Sequence, residues 1–255
     1  MATGDYGPVF ARAYDRCWTE HAARVAPELR RHHEALGDVP RALLDVSCGT
    51  GQLCLHFLEH GYRVTGIDLS PDMIAIARAH CADHVAAGRA AFFVADAASF
   101  AVGGGFGLAV STYNALNHLP DLDALRGCFR SVREALAPGG GFVFDLNTRA
   151  GLRQAWNGVH AADSEGVTAQ AESVYDGGAR AFTRISGTVR EEDGRLERFD
   201  ETLANTAFAL ADVHAALLAE GFTAVRWACD GALAAPVEDA EALDRVVGVA
   251  RRPSV

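Results

Sequence analysis

The 255-residue sequence predicts an α/β fold with a doubly wound, seven-stranded, mostly parallel sheet. Three observations predict it. Short apolar runs alternate with amphipathic stretches between residues 41 and 148, the pattern of parallel strands buried on both faces. A glycine-rich phrase, Ser47-Cys48-Gly49-Thr50-Gly51, follows the first of these runs and opens a helix. Acidic residues (Asp45, Asp68 and Asp96) stand at the ends of the first three runs, where the carboxyl ends of such strands bind ligands.

The elements follow in order. Residues 8–36 read as one helix because Phe10, Tyr14, Cys17, Trp18, Ala22 and Val25 recur at three- and four-residue intervals, with Gly37-Asp38 closing it. Arg41–Val46 is the first strand, and a helix runs from the glycine loop to His60. Tyr62–Ile67 is the second strand. Ser70 then caps a helix over Asp72–Cys81, with Pro71 at its first position. Ala91–Ala95 and Phe106–Thr112 are the third and fourth strands. The run from Ala97 to Pro120 carries no formal charge over 24 residues, but Gly103-Gly104-Gly105 and its polar residues would break a spanning helix. It reads as a loop and a buried strand. Asp121–Leu136 is a helix stopped by Pro138-Gly139-Gly140-Gly141, and Phe142–Leu146 is the fifth strand.

After Thr148 the pattern changes. Val167–Val174, Arg180–Arg190 and Leu196–Phe208 read as three antiparallel strands, turning at Asp176-Gly177-Gly178 and Asp193-Gly194. Asp212–Glu220 is a helix with Gly221 as its C-cap, and Thr223–Ala228 and Arg245–Ala250 complete the main sheet. The expected organisation is one unit. Residues 1–40 form a helical cover, 41–148 a cofactor-binding core, 149–210 an inserted antiparallel element, and 211–255 the last helix and strands.

Composition narrows the chemistry. There are 33 acidic and 23 basic side chains, a formal charge of −10, and every basic residue is Arg. Without Lys, Schiff-base and P-loop mechanisms are excluded. The acidic balance argues against a nucleic-acid groove, which needs a basic stripe. The six cysteines (17, 48, 54, 81, 128 and 229) form no C-x-x-C pair and no zinc spacing, so they read as reduced thiols of a cytoplasmic protein without a metal site. The N-terminal Met-Ala-Thr-Gly-Asp-Tyr lacks the regions of a signal peptide, and no membrane association is expected.

Gly49 and Gly51 let the backbone turn sharply and approach a ligand. A nicotinamide fingerprint needs a third glycine where Cys54 stands. Asp68 lies 19 residues beyond Gly49 and can accept from both ribose hydroxyls of an NAD or an adenosyl ligand. Asp96 can accept from an adenine amino group. Structural alternatives accompany each: a tight turn for the glycines, a helix cap for Asp68, a solvated loop acid for Asp96, and core packing for Tyr14 and Trp18. For His118 the alternative is a cap on the following segment.

Residues 42–148 resemble the class I S-adenosylmethionine-dependent methyltransferases, motif by motif. The phrases that carry this are Leu44-Asp45-Val46-Ser47-Cys48-Gly49-Thr50-Gly51, Val64-Thr65-Gly66-Ile67-Asp68-Leu69-Ser70-Pro71-Asp72-Met73, Val94-Ala95-Asp96-Ala97 and Leu136-Ala137-Pro138-Gly139-Gly140-Gly141. The resemblance implies a Rossmann-like sheet with one antiparallel strand and S-adenosyl-L-methionine as cofactor. It places the Gly49–Gly51 backbone along the methionine moiety and Asp68 on the ribose. Leu69 and Met73 would pack on the adenine, with Asp96 and the Ala97 backbone at its edge. Asp45, Ser47, Cys48 and Ser111 join the cofactor-binding set, and Tyr14 and Trp18 cover it.

Tyr14-Asp15-x-x-Trp18 and the inserted strands are similar to small-molecule methyltransferases acting on glycine-like amines, amino sugars and other natural products, in which the insertion forms a lid or a dimer contact. His118, Asn147 and Tyr14 are then the candidates for catalysis, with His118 as a base if the acceptor is a hydroxyl. The expected function is methyl transfer to nitrogen or oxygen of a small metabolite, by a protein that could be a homodimer. A non-catalytic adenosyl-binding module and a nicotinamide-dependent oxidoreductase are the alternatives. Tyr175, Arg184, Arg198, Arg30-Arg31 and the remaining histidines read as surface.

Overall fold

The computed structural model describes residues 6–155 and 158–254; Met1–Asp5, on which the signal-peptide reading rests, lie outside the described residues. The N-terminal helix is divided. Helix α1 spans Pro8–Cys17 and α2 spans Glu20–Glu34, which corrects the single helix expected over 8–36. The Trp18 backbone leaves the helical region at φ −120° and ψ 28°, while its N–H still returns to Tyr14 O. Apolar spacing continues across the break, so periodicity alone conceals it.

The core then alternates. Strand β1 (Ala42–Val46) leads through the glycine loop to α3 (Gln52–Glu59), and β2 (Arg63–Asp68) leads to α4 (Pro71–His80). Ser70 caps α4 by accepting from the Met73 N–H at 3.2 Å. After α5 (Ala82–Ala86) come β3 (Ala90–Val94), β4 (Phe106–Ser111), a 3₁₀ turn at Ala115–His118, α6 (Leu122–Ala135) and β5 (Leu136–Asn147). Strand β5 starts earlier than expected. It runs through Pro138-Gly139-Gly140-Gly141 because Leu136 already pairs with Phe106, and a shift of register with Gly139 at φ 77° absorbs the irregularity.

A second sheet follows helix α7 (Arg149–Ala155). Its strands β6 (Gly158–Ser164), β7 (Val167–Tyr175), β8 (Arg180–Arg190) and β9 (Leu196–Thr206) form a four-stranded antiparallel order, where three strands were expected. Strand β6 escaped notice because its Gly158-Val159-His160-Ala161 start is exposed and shows no apolar alternation. Helix α8 (Leu210–Ala219), β10 (Thr223–Ala228) and β11 (Arg245–Arg251) return to the main sheet. Its order is β10-β11-β5-β4-β1-β2-β3, parallel except that β11 runs against both neighbours. The doubly wound, seven-stranded α/β sheet with one reversed strand is thus present, with the antiparallel insertion. The edge strand β3 departs from burial on both faces: Phe93 and Val94 are exposed.

One face of the main sheet packs Phe129, Phe142, Phe144 and Phe222 beneath α6 and α8, and the other packs Phe57, Tyr62 and Ile74 among α2, α3 and α4. A third cluster matters most for the site. Phe10, Ala11 and Ala13 of α1 meet Met73 of α4 on one side and Val167, Ala169, Val189 and Phe199 of the second sheet on the other. Phe10 lies 5.6 Å from the Phe199 ring. Burying one Phe contributes about 1.5–3 kcal/mol, so this cluster fixes α1 as a roof between the core and the insertion. No helix among the described residues is long and apolar enough to cross a membrane.

Candidate active site

The glycine loop is built for close approach. Gly49 and Gly51 sit in the left-handed region (φ 54° and 82°), and a Cβ on Gly51 would stand 3.0 Å from that of Ala77. Ser47 shares the region at φ 63° without glycine's freedom. At the β2 end, Asp68 accepts from the Gly49 N–H on Oδ2 and from the Ser70 N–H on Oδ1, both at 2.9 Å. It therefore locks the first motif to the second. Burial pushes its carboxyl above the ordinary value, and the N–H groups of Ser70, Gly49 and Leu69 pull it back.

Asp45 is buried in β1 and accepts from the Cys54 thiol on Oδ2 at 3.2 Å. Desolvation pushes its carboxyl up to about 7. Cys54 fills the place of a third glycine with a side chain committed to Asp45, which disposes of the dinucleotide fingerprint. A cleft opens above, lined by Tyr14, Trp18, His21, Asp45, Ser47, Cys48, Gly49, Thr50, Thr112 and Tyr113 among others. Tyr14 and Trp18 thus reach the cleft from α1 and its end, with Tyr14 Cε1 3.6 Å from a Cβ built on Gly49.

The other expected residues are placed as follows. Leu69 is 60% exposed beside Asp68, an apolar side chain without a cover. Met73, at 2%, is held in the cluster under α1 and is not open to the cleft. Asp96 is exposed and accepts the Ala98 N–H on Oδ1 at 2.8 Å, a turn-forming bond beside Ala97. Ser111 is fully buried at the end of β4, and its Oγ has no hydrogen-bond partner, as is true of Thr50 Oγ1. Asn147 is buried at the end of β5; its N–H donates to Asn117 Oδ1 at 2.9 Å, and its Nδ2 lacks a partner.

His118 sits in the 3₁₀ turn beneath β9. A carbonyl can only accept, so Nδ1–H donates to Ala204 O at 2.8 Å and Nε2 keeps the lone pair. That lone pair faces the Tyr6 hydroxyl at 3.3 Å. Burial lowers the pKa of His118, offset by the Ala204 carbonyl, so the ring is neutral near pH 7. Tyr6 also accepts from Ser70 Oγ through its carbonyl at 2.8 Å, and the neighbouring Gly7 N–H donates to Glu201 Oε1 at 3.2 Å. Tyr6-Gly7 thus ties core, turn and insertion together.

Sequence reasoning missed the polar cluster beyond the ends of β4 and β5. Tyr113 and Asn114 both adopt positive φ (66° and 53°), held by the buried carboxylate of Asp145, which accepts both backbone N–H groups. Arg245 donates to Asn114 Oδ1 at 3.0 Å and to Asn147 Oδ1 at 3.4 Å, and lies 5.4 Å from the Tyr113 ring centroid. His21 stacks on Tyr113 with ring centroids 4.6 Å apart. His33 is buried and the His21 side chain is largely covered, which corrects their reading as surface residues; His33 bonds the Tyr62 hydroxyl at 2.8 Å. Tyr175 is buried as well and donates to Gly178 O at 2.8 Å, whereas Arg184 is exposed and paired with Asp200. Only the consecutive acid–glycine phrases signalled their places in advance.

Residues 43–140 match the family model of the methyltransferase domain. The chain thus carries a methyltransferase domain. It is 29% identical over 185 residues to a dTDP-3-amino-3,4,6-trideoxy-alpha-D-glucopyranose N,N-dimethyltransferase of Streptomyces venezuelae, covering 71% of this chain and 74% of that protein. In fold it is similar to an S-adenosylmethionine-dependent methyltransferase of Clostridium acetobutylicum, with TM-score 0.79 at 22% identity over 96% of this chain and 98% of that one. It is also similar to the sugar N-methyltransferase KedS8 of Streptoalloteichus, with TM-score 0.73 at 24% identity over 91% and 88%.

The residues present fit the cofactor. Orphaned Thr50 Oγ1 and Ser111 Oγ, the left-handed loop, uncovered Leu69 and the carboxylates of Asp45 and Asp68 are the donor, acceptor and apolar set that an adenosyl group with an amino-acid tail requires. When bound, the cofactor supplies a methyl group already activated by the adjoining sulfonium. Among the described residues no cluster of His, Cys, Asp and Glu could hold a metal ion.

Proposed function

We propose that this methyltransferase methylates the amine nitrogen of a small metabolite, with an amino sugar as the model acceptor. The observation that carries the reading is the state of His118. Its one lone pair already accepts from Tyr6, and its other nitrogen is committed to Ala204. A hydroxyl acceptor needs a base to take its proton, whereas an amine that arrives neutral brings its own lone pair. The roof of Tyr14 and Trp18 over the glycine loop, with Phe10 beneath the insertion, supports a small acceptor in a site shielded from water. The sugar N-methyltransferases among its relatives support the same class.

In this reading Gly49, Gly51, Asp45 and Asp68 bind the cofactor, with Asp96, Ala97 and Leu69 at the adenine end. Tyr113, Asn147 and Arg245 orient the acceptor, and alignment supplies most of the acceleration, up to roughly 7–11 kcal/mol. The protein acts as one unit of cover, core, insertion and returning strands. Its six free thiols suit the reducing cytoplasm. The outward Val159, Val174 and Phe182 of the insertion offer an apolar face for a second copy. Incubation with labelled methyl donor and a panel of amino sugars, other amines and their hydroxyl counterparts tests the reading. Label is expected on amines, and label confined to the hydroxyl compounds would sink it.

A further inference from the structure

His21 occupies a position that the glycine loop and the cofactor motifs do not explain. Its side chain is 8% exposed, and it lines both the cleft above the glycine loop and a smaller pocket under α2. Arg24 Nη2 lies 3.0 Å from Nδ1, and a guanidinium only donates, so Nδ1 accepts. The proton of the neutral ring is therefore on Nε2. That Nε2–H has no hydrogen-bond partner. The nearest carboxylate oxygen, Asp145 Oδ2, is 3.7 Å away and already accepts the Tyr113 N–H. The ring itself cannot turn freely, because Tyr113, with Arg245 5.4 Å from its own ring centroid, stacks on it. An oriented, buried donor without an acceptor costs about 1–3 kcal/mol unless a ligand or water completes it.

The topology says which part of a ligand arrives there. Asp68 ends β2, and in the order β4-β1-β2 a ligand anchored at β2 that crosses the glycine loop of β1 runs toward β4. Thr112, Tyr113 and His21 stand at that far end, beside Asp45. We propose that His21 Nε2–H is the donor to the α-carboxylate at the amino-acid end of the cofactor, with Arg24 as the positioning residue that fixes its tautomer. Arg24 is itself held by Asp230, so the positive charge stands behind the ring while the ring makes the contact. Asp45 offers the matching carboxylate to the α-ammonium. The inference rests on the S-adenosylmethionine reading of the cleft.

Calorimetric titration with S-adenosylmethionine and with its decarboxylated analogue tests it, since the analogue lacks only the group in question. Wild type should favour the carboxylated ligand by about tenfold to a hundredfold, the range of one charge-assisted hydrogen bond. In His21→Ala that preference should shrink to within about threefold, and His21→Gln, which keeps a donor, should restore part of it. Arg24→Ala leaves the ring but frees the tautomer, and should lower the preference without abolishing it, which keeps the proposal exposed if His21→Ala does not fold. A full preference retained in His21→Ala or His21→Gln together with Arg24→Ala, or no preference in wild type, overturns the proposal. Wild type that binds neither ligand would instead bring down the cofactor reading itself.

Discussion

The two halves of the cleft are built on different principles. At the ends of β1 and β2, recognition is mainly backbone geometry within short phrases: the left-handed Gly49 and Gly51, and Asp68 joining the Gly49 and Ser70 N–H groups. At the ends of β4 and β5 it is a set of side chains from distant segments. Tyr6, Tyr113, His118, Asp145, Ala204 and Arg245 meet there only because the N-terminal segment, the insertion and β11 converge. The first half serves a cofactor whose shape is constant across chemistries. The second sets what is methylated, so its parts are free to come from anywhere in the chain.

The comparison breaks most visibly at Asp145, the anchor of the second half. Its carboxylate accepts two backbone N–H groups and faces Arg245 Nη1 at 3.8 Å. Asp145→Ala leaves these donors buried and unpaired, so thermal unfolding should show a loss of roughly 3–5 kcal/mol. Cofactor affinity in the variant that remains folded should change far less than acceptor turnover. Equal damage to both would mean that the halves are one cooperative unit.

Asp45 sharpens the contrast from the other side. Its folded pKa of about 7 lies above the ordinary 3.8, so the folded protein holds a proton that the unfolded chain has lost. That contribution to stability is complete below about pH 4 and is lost as pH rises through 7, on the order of 4 kcal/mol in all. Asp45→Asn should flatten this part of the stability profile of the cofactor-free protein, as read by denaturant titration from pH 4 to 8. An unchanged profile would show that Asp45 ionises normally. Asp68→Ala, in the same half, should lower S-adenosylmethionine affinity by about tenfold to a hundredfold in calorimetry. Equal affinities would remove Asp68 from the ribose.

This division also decides what was legible in the sequence. The individual strands and the acid–glycine phrases could be read because each shows within a short stretch of sequence. The reversed strand came with the family resemblance, since β11 pairs with β5 far earlier in the chain. The break at Trp18-Thr19 could not, since the apolar spacing runs straight through it and only the backbone turn reveals it. Strand β6 was invisible because an exposed edge strand has no need of apolar alternation. Met73 shows how a local phrase and a distant contact can point to different neighbours. Its place in the second motif put it at the adenine, whereas α1 packs down on it from the N-terminus and buries it with Phe10. His21 looked like a surface residue because nothing near it in sequence announces Tyr113, Asp145 or Arg245.

The smallest expected effect belongs to His118, and it discriminates most sharply between acceptors. With Nδ1–H given to Ala204 and Nε2 facing Tyr6, the neutral ring links the 3₁₀ turn, β9 and the N-terminal segment. If that link is its role, His118→Ala should reduce turnover by less than about tenfold and act chiefly on KM, because the wall around the acceptor loosens while alignment at the glycine loop survives. Tyr6→Phe should give a similar or smaller change, since it removes the other end of the same bond. The pH dependence of both variants should follow the acceptor's own amine, as in wild type. If His118 instead takes a proton during the reaction, its removal should cost roughly 10²–10⁴ in turnover with KM nearly unchanged. Tyr6→Phe, by freeing the Nε2 lone pair, should then raise the rate. A rate increase in Tyr6→Phe beside a collapse in His118→Ala would move the acceptor from an amine to a hydroxyl, and would make Tyr6 the residue that restrains the base.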